Sequence, residues 1–348
     1  MTGRQDLTQM PPRQWLSHMR KELGFTTQSP VTMEGIDAIV EVVPVESKEA
    51  TRKIWTERLN KNINNIQEEQ MAVYLERQKI FSSQDQSKIL EATYFGILST
   101  RKFNAFAGFS PRGDRVVVLH EALTNVVALW CHWYARCQEA GTNILSDDSL
   151  RQDTLRFFLN LWNSEQSYQP LQTPKGIYPV GRDAWAYSEI LAIACMNFII
   201  GHEVGHISFG HVGYGPDQQA NHTMEFEADS AGFDVCLRAF ALSAKAGFED
   251  GADAYLVAPF LSLAIMSIFS DRSSHTHPSS STRFNRLVNL LEDRMKKTSL
   301  QVTHLVFEAN QVFAFFAAYR DEINSIRQGD VEMDSHEWLS RFFVDGRF

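Results

Sequence analysis

The sequence predicts a helix-rich α+β fold, and three observations predict it. One hairpin signature lies between residues 103 and 119. A long apolar helical pattern follows at 185–211. Around both, polar segments carry apolar residues at helical spacing rather than in alternation.

The hairpin runs from Phe103-Asn104-Ala105-Phe106-Ala107, through a Pro/Gly turn at 110–114, into Arg115-Val116-Val117-Val118-Leu119, a β-branched run suited to a strand. Strand character reaches back to Tyr94, and the expectation is a small antiparallel sheet. Upstream, a short helix is expected at 15–23. In the polar stretch 46–90, Ile54, Leu59, Ile63, Ile66 and Val73 recur at helical spacing, as in one or two amphipathic helices lying over a core.

Downstream, the pattern is helical from 122 to 140 and polar to about residue 182. The segment 185–211 is apolar on nearly every face up to Ile200, as in a helix through the middle of a domain. A Gly/Pro/Asn break at 213–222 leads to a second helix at 224–246, stopped by Gly247, and a third at 255–269. Two more are expected near 282–297 and 303–326, the last with a core stripe of Val312, Phe315, Phe316, Tyr319 and Ile323. The chain divides on this reading into an N-terminal helical cover (1–90), a main domain (91–300, with an insertion at about 124–185) and a C-terminal helical extension (301–348).

Hydrophobic residues form 44% of the chain and charged residues 22%, a globular composition. The net charge of −9 gives no electrostatic reason to expect nucleic acid or an anionic membrane as partner. Cys131, Cys137, Cys195 and Cys236 form no CxxC pair, which argues against a disulfide framework or a thiolate metal site and for a reducing compartment. The first residues lack the apolar run of a signal peptide, and the apolar stretches 190–200 and 256–269 are shorter than the roughly 20 residues that span a bilayer. The expectation is a soluble, cytoplasmic chain without a transmembrane segment.

Chemistry concentrates in His202-Glu203-Val204-Gly205-His206. Residues four apart on an α-helix differ by about 40° of rotation and about 6 Å of rise, so both imidazoles can converge on one ion. Glu203 points about 100° away from His202. It is placed to touch a metal-bound water, as general base and then acid. Such an ionisable cluster at the end of a buried helix is costly unless metal or partners compensate it. Phe209 and Val212 stand where a metzincin needs Gly and His, which excludes that class. His211, five residues beyond His206 and about 140° round, is not a natural third ligand and reads as a helix-end residue.

A third ligand is expected in Met224-Glu225-Phe226-Glu227-Ala228-Asp229. Glu225 and Asp229 share a helix face, whereas Glu227 lies about 200° from Glu225 and reads as a solvated or capping carboxylate. Glu225 would ligate zinc, and Asp229 would accept a hydrogen bond from the far nitrogen of a ligand histidine. An acid-rich helix N-terminus accounts for the same residues on dipole grounds alone.

HExxH followed by ExxAD resembles the gluzincins of the HtpX-like and CAAX-prenyl-protease family. Asn104-Ala105-Phe106-Ala107 resembles that family's NAFA segment, and His277-Pro278-Ser279-Ser280-Ser281-Thr282-Arg283 its HPxxxxR loop. His211 falls where many members place an extra histidine. The layout is also similar to that of the soluble Lit-type phage-exclusion peptidases.

The resemblance covers roughly residues 95–295 and implies a zincin core holding one Zn2+ through His202, His206 and Glu225. It also implies oxyanion stabilisation by His277 and Arg283. A protein or peptide substrate would be held by β-augmentation along Asn104 and the strand of Val116, Val117 and Val118. A structural reading accounts for the same loop, with Pro278 breaking one helix and Ser280 or Ser281 capping the next, and the two are compatible. The expected function is a metalloendopeptidase, active at once or latent until a partner or trigger moves the 46–90 helices or the 124–185 insertion. The alternative is a catalytically silent zinc-binding regulatory or scaffold protein; an intact Glu203 weighs against it, because a purely structural site needs no water activator.

Overall fold

The computed structural model describes residues 9–22, 33–60, 66–98, 103–141, 173–211, 218–247, 251–269 and 277–295, with isolated positions between 149 and 160. The expected helix at 303–326 and the whole 301–348 extension lie outside the described residues.

The described helices are α1 (Pro12–Glu22), α2 (Met33–Val42), α3 (Lys48–Asn60), α4 (Ile66–Phe81), α5 (Gln84–Glu91), α6 (Glu121–Ala140), α7 (Arg182–Ser208), α8 (Gln218–Lys245), α9 (Ala254–Phe269) and α10 (Ser280–Met295). Between α5 and α6 stand β1 (Thr93–Leu98), β2 (Ala105–Phe109) and β3 (Arg115–His120). The fold is therefore helix-rich α+β, as the sequence predicts.

The sheet order is β1-β3-β2. β2 and β3 form the expected hairpin, antiparallel with Ala107 opposite Val117. Its turn is closed by the Ser110 N–H donating to the Asp114 carbonyl at 2.8 Å, with Gly113 at φ 92°. β1, however, runs parallel to β3, with Phe95 opposite Val117, so the sheet is mixed rather than wholly antiparallel. β3 has a neighbour on both sides, and Val116 to Leu119 are fully buried. One face of the sheet joins the main core through Val117 and Leu119. The other is roofed by α1, whose Leu16 packs with Leu98, Val116 and Val118.

The 46–90 stretch forms three helices rather than one or two. Its burial does not follow the apolar stripe read from the sequence, for Ile54 and Val73 are exposed. Met71, Phe81 and Leu90 enter the core instead.

At the centre lies α7, flanked by α6, α8 and α9. It is long and apolar enough by length and composition to cross a membrane, which the shorter apolar stretch read from the sequence did not show. Here most of its apolar length is buried inside the protein. Its packing against α8 depends on glycine. A Cβ on Gly201 would lie 3.0 Å from the Cα of Gly232, and one on Gly205 would lie 2.9 Å from the Ala231 Cβ. On the facing helix, a Cβ on Gly232 would sit 2.6 Å from the Phe198 carbonyl oxygen and 3.1 Å from the His202 nitrogen. Those backbone atoms cannot move aside as a flexible side chain could.

Gly232→Ala is thus expected to push α8 off α7 and to cost about 1–3 kcal/mol of stability, the usual penalty for overpacking a dense core. Denaturant unfolding would measure it. An unchanged or raised midpoint would show that the two helices have slack.

Candidate metal centre

The close α7–α8 contact decides which side chains meet. His202 and His206 lie one turn apart on α7, and Glu225 faces them from the third turn of α8. The Nε2 atoms of the two histidines are 3.1 Å apart. Glu225 Oε1 lies 3.4 Å from His206 Nε2, and its Oε2 lies 3.6 Å from His202 Nε2. These three groups form a cluster able to hold a metal ion, their ligand atoms all within 4.8 Å of one another.

The far nitrogen of His202 reveals its tautomer. Nδ1 is 3.0 Å from Asp229 Oδ1. A carboxylate can only accept, so the proton sits on Nδ1, and in the neutral ring Nε2 presents a lone pair to the cluster. Asp229 is held in turn by Arg283 on α10. Arg283 Nε donates to Oδ2 at 2.8 Å and Nη2 to Oδ1 at 2.6 Å, a bidentate pair in which both residues are almost fully buried. The third guanidinium nitrogen, Nη1, lies 3.4 Å from Glu225 Oε2. Every nitrogen of Arg283 therefore faces a carboxylate of its own chain, and the residue also lines the cavity over the cluster. α10 begins with Ser279 Oγ accepting from the Thr282 N–H at 3.2 Å, so Ser279 caps it, not Ser280 or Ser281.

Charge does not balance within this cluster. Glu203, Glu225 and Asp229 are buried together with a single guanidinium. With neutral imidazoles and ionised carboxyls the group carries two net negative charges, which a divalent cation would offset. Glu225 Oε2 is buried and accepts no hydrogen bond, as expected of an oxygen reserved for a cation. Burial by itself pushes the Glu225 carboxyl up. Hydrogen bonding to His206 and the charges of His202, Arg283 and His277 outweigh that and bring it down to about 2. Asp229 behaves alike, its burial overcome by Arg283 and His202. Glu203 goes the other way: burial dominates and raises its carboxyl above the ordinary range.

A cavity of about 490 Å³ opens over the cluster. Glu203 lines it, as does His277, whose Nε2 lies 3.5 Å from Glu225 Oε1 and whose side chain is 56% exposed. Leu123, Val127, Ile199 and Ile265 give part of its wall an apolar character, and residues 103–107 form one rim. Asn104 is on that rim. Val116, Val117 and Val118 are not, because β3 is central and paired on both sides. The expectation that β3 holds substrate is therefore corrected. Among the described residues the strand with an open edge beside the cavity is β2.

His211 lies at the helix end and outside the group of three ligands, as expected, but α7 ends at Ser208 and does not continue to it. Gly210 adopts φ 72°, the Gly210 N–H donates to the Ile207 carbonyl at 3.2 Å, and the His211 N–H donates to the His206 carbonyl at 2.8 Å. This is a Schellman turn, which folds the second residue past the helix back onto the turn containing His206. His211 Nδ1 then sits 3.2 Å from His206 Nδ1, and its Nε2 sits 2.9 Å from Glu227 Oε2. Glu227 is thus tied to the cluster through a histidine and is not simply a solvated carboxylate. The signal was present in Gly210, a residue suited to a left-handed helix stop.

Residues 67–222 match the model of the family described as Peptidase family M48, and residues 152–303 match that of the family described as Peptidase U49. No curated protein and no solved structure matches the chain. The two matches overlap across the whole of α7, with its paired histidines, and the second continues through Glu225, Asp229 and Arg283. Both matches support a gluzincin-type metallopeptidase related to the HtpX and CAAX proteases.

Proposed function

We propose that the protein is a zinc endopeptidase with His202, His206 and Glu225 as metal ligands and Glu203 as general base. The observation that carries this reading is the meeting of two imidazole lone pairs and a buried carboxylate at separations of 3.1, 3.4 and 3.6 Å. Tetrahedral zinc with bonds of about 2.0–2.1 Å requires ligand atoms roughly 3.3 Å apart, so the donor set fits. Two nitrogens and one oxygen also leave one of four positions open, as in catalytic rather than structural zinc sites. That openness favours an enzyme over a silent zinc-binding scaffold.

Bound there, zinc supplies Lewis acidity toward a carbonyl and toward water. The chain's residues supply the rest. Glu203, one residue from a ligand and lining the cavity, takes the proton of the attacking water and passes it to the leaving amine. Its burial raises its basicity above that of a solvated carboxylate. His277, exposed toward the cavity, is placed to stabilise negative charge developing on the substrate oxygen. Arg283 and Asp229 act one step back by holding His202 and Glu225 in place. The open edge of β2 offers main-chain hydrogen bonds to an extended peptide, recognition that reads backbone and so suits a polypeptide substrate.

Glu203→Gln is expected to keep about one zinc per chain while cleavage of an unfolded protein substrate falls by at least about a hundredfold, since an amide of the same shape cannot carry the proton. Cleavage at the parent rate would remove Glu203 from the mechanism. Glu225→Ala should lose zinc after mild chelation and also lower the unfolding temperature, because metal that binds only the native state contributes to its stability. Retention of a full equivalent would mean that the third ligand lies elsewhere. Arg283→Ala should destabilise the fold by about 3–5 kcal/mol, the cost of leaving a buried carboxylate without its partner. A variant of native stability that lost only kcat would assign Arg283 the oxyanion role instead.

A further inference from the structure

We propose that His211 and Glu227 are positioning residues for His206, forming a relay that fixes its tautomer and ring orientation. The proposal rests on the ligand reading given above. His202 has a carboxylate, Asp229, directly on its Nδ1. The same nitrogen of His206 meets another imidazole, His211 Nδ1, at 3.2 Å. Two ring nitrogens at this distance form a hydrogen bond only if one carries the proton and the other does not. Glu227 decides which. Its Oε2 lies 2.9 Å from His211 Nε2 and, as a carboxylate, accepts. In the neutral ring the His211 proton is then on Nε2 and its Nδ1 offers a lone pair. His206 must donate from Nδ1, which leaves its Nε2 bare toward the cluster. A carboxylate on α8 thereby sets the protonation of a side chain on α7 through one intervening ring.

The backbone makes this relay stiff. The Schellman turn fixes His211 over His206 by two main-chain hydrogen bonds, of 2.8 and 3.2 Å. The His211 side chain is only 6% exposed, although it follows the end of the helix. Its ring stands at 69° to that of His206 with centroids 5.3 Å apart. Glu227 is half-exposed at the far end, where water can solvate its second oxygen. The two ligand histidines are thus served by different devices: a buried ion pair for His202, and a solvent-facing carboxylate acting through a histidine for His206.

The test is the rate at which zinc leaves the full-length chain for a chromogenic chelator. The cobalt(II) absorption spectrum of each variant and the unfolding of each metal-free form are recorded in parallel. His211→Ala should release zinc about ten- to a hundredfold faster, the range typical when the outer partner of a ligand histidine is removed, and should shift the cobalt bands. His211→Asn should recover most of the slow release, because its amide oxygen can take the place of Nδ1 as acceptor. Glu227→Ala should quicken release in the parent but add nothing in the His211→Asn background, where the connection to Glu227 is already cut.

A His211→Ala protein that holds zinc as long as the parent, with unchanged cobalt bands, overturns the relay and leaves the ligand assignment standing. Faster release without recovery in His211→Asn, accompanied by an equal loss of metal-free stability, also overturns it, since packing alone would then explain the effect. A parent chain that takes up no zinc or cobalt sinks the ligand assignment itself, and the relay with it.

Discussion

The approach of α7 to α8 is the constraint on which the rest of the site depends. Helices whose backbones come this close must have small residues at the crossing, and Gly201, Gly205 and Gly232 provide them. Were the helices held apart by ordinary side chains, Glu225 and Asp229 would not reach His202 and His206 from the neighbouring helix. The glycine inside His202-Glu203-Val204-Gly205-His206 thus belongs to the packing as much as to the motif. A Cβ there would press on the Ala228 Cα at 3.0 Å, in the same turn of α8 as Asp229.

Close packing creates an electrostatic difficulty that a third helix answers. Two carboxylates, Glu225 and Asp229, are brought beside a third, Glu203, and all three side chains are buried. α10 contributes Arg283, which takes both oxygens of Asp229 and comes within 3.4 Å of Glu225. The pairing does more than neutralise charge. Asp229, held on both oxygens by Arg283, also accepts from His202 Nδ1, so the ion pair transmits orientation to that imidazole. α10 stands where it does because Phe284 and Leu287 share the main core.

Much of this was legible in the sequence. The β2–β3 hairpin, the central helix, Glu225 as the partner of the paired histidines and Asp229 as the group behind one of them all follow from periodicity and spacing, because helices and tight turns are local. Two readings failed where a non-local feature intervened. β1 pairs parallel to β3, which buries the strand expected to meet substrate; pairing across a sheet has no signature within one strand. Ile54 and Val73 share helical spacing with residues that pack, yet face solvent, since periodicity does not say which face meets the core. His211 was legible as a helix-end residue outside the ligand set, but its contact with His206 was not, because it depends on the turn at Gly210. Arg283 could be placed near the site by its motif, but whether it faces substrate or carboxylate depends on two other helices.

Among the described residues the outer edge of β2 is open, with a consequence for the scale of recognition. The strand has five residues, and at about 3.4 Å each its edge is roughly 17 Å long. A polypeptide paired along it could engage only a handful of residues, and those must be fully extended. Native helices and the interiors of sheets present no such stretch, because their main-chain groups are already committed. A scaffold of this kind would sample other proteins by their local openings (frayed termini, loops or unfolded segments) and so would respond to a partner's folding state before its sequence.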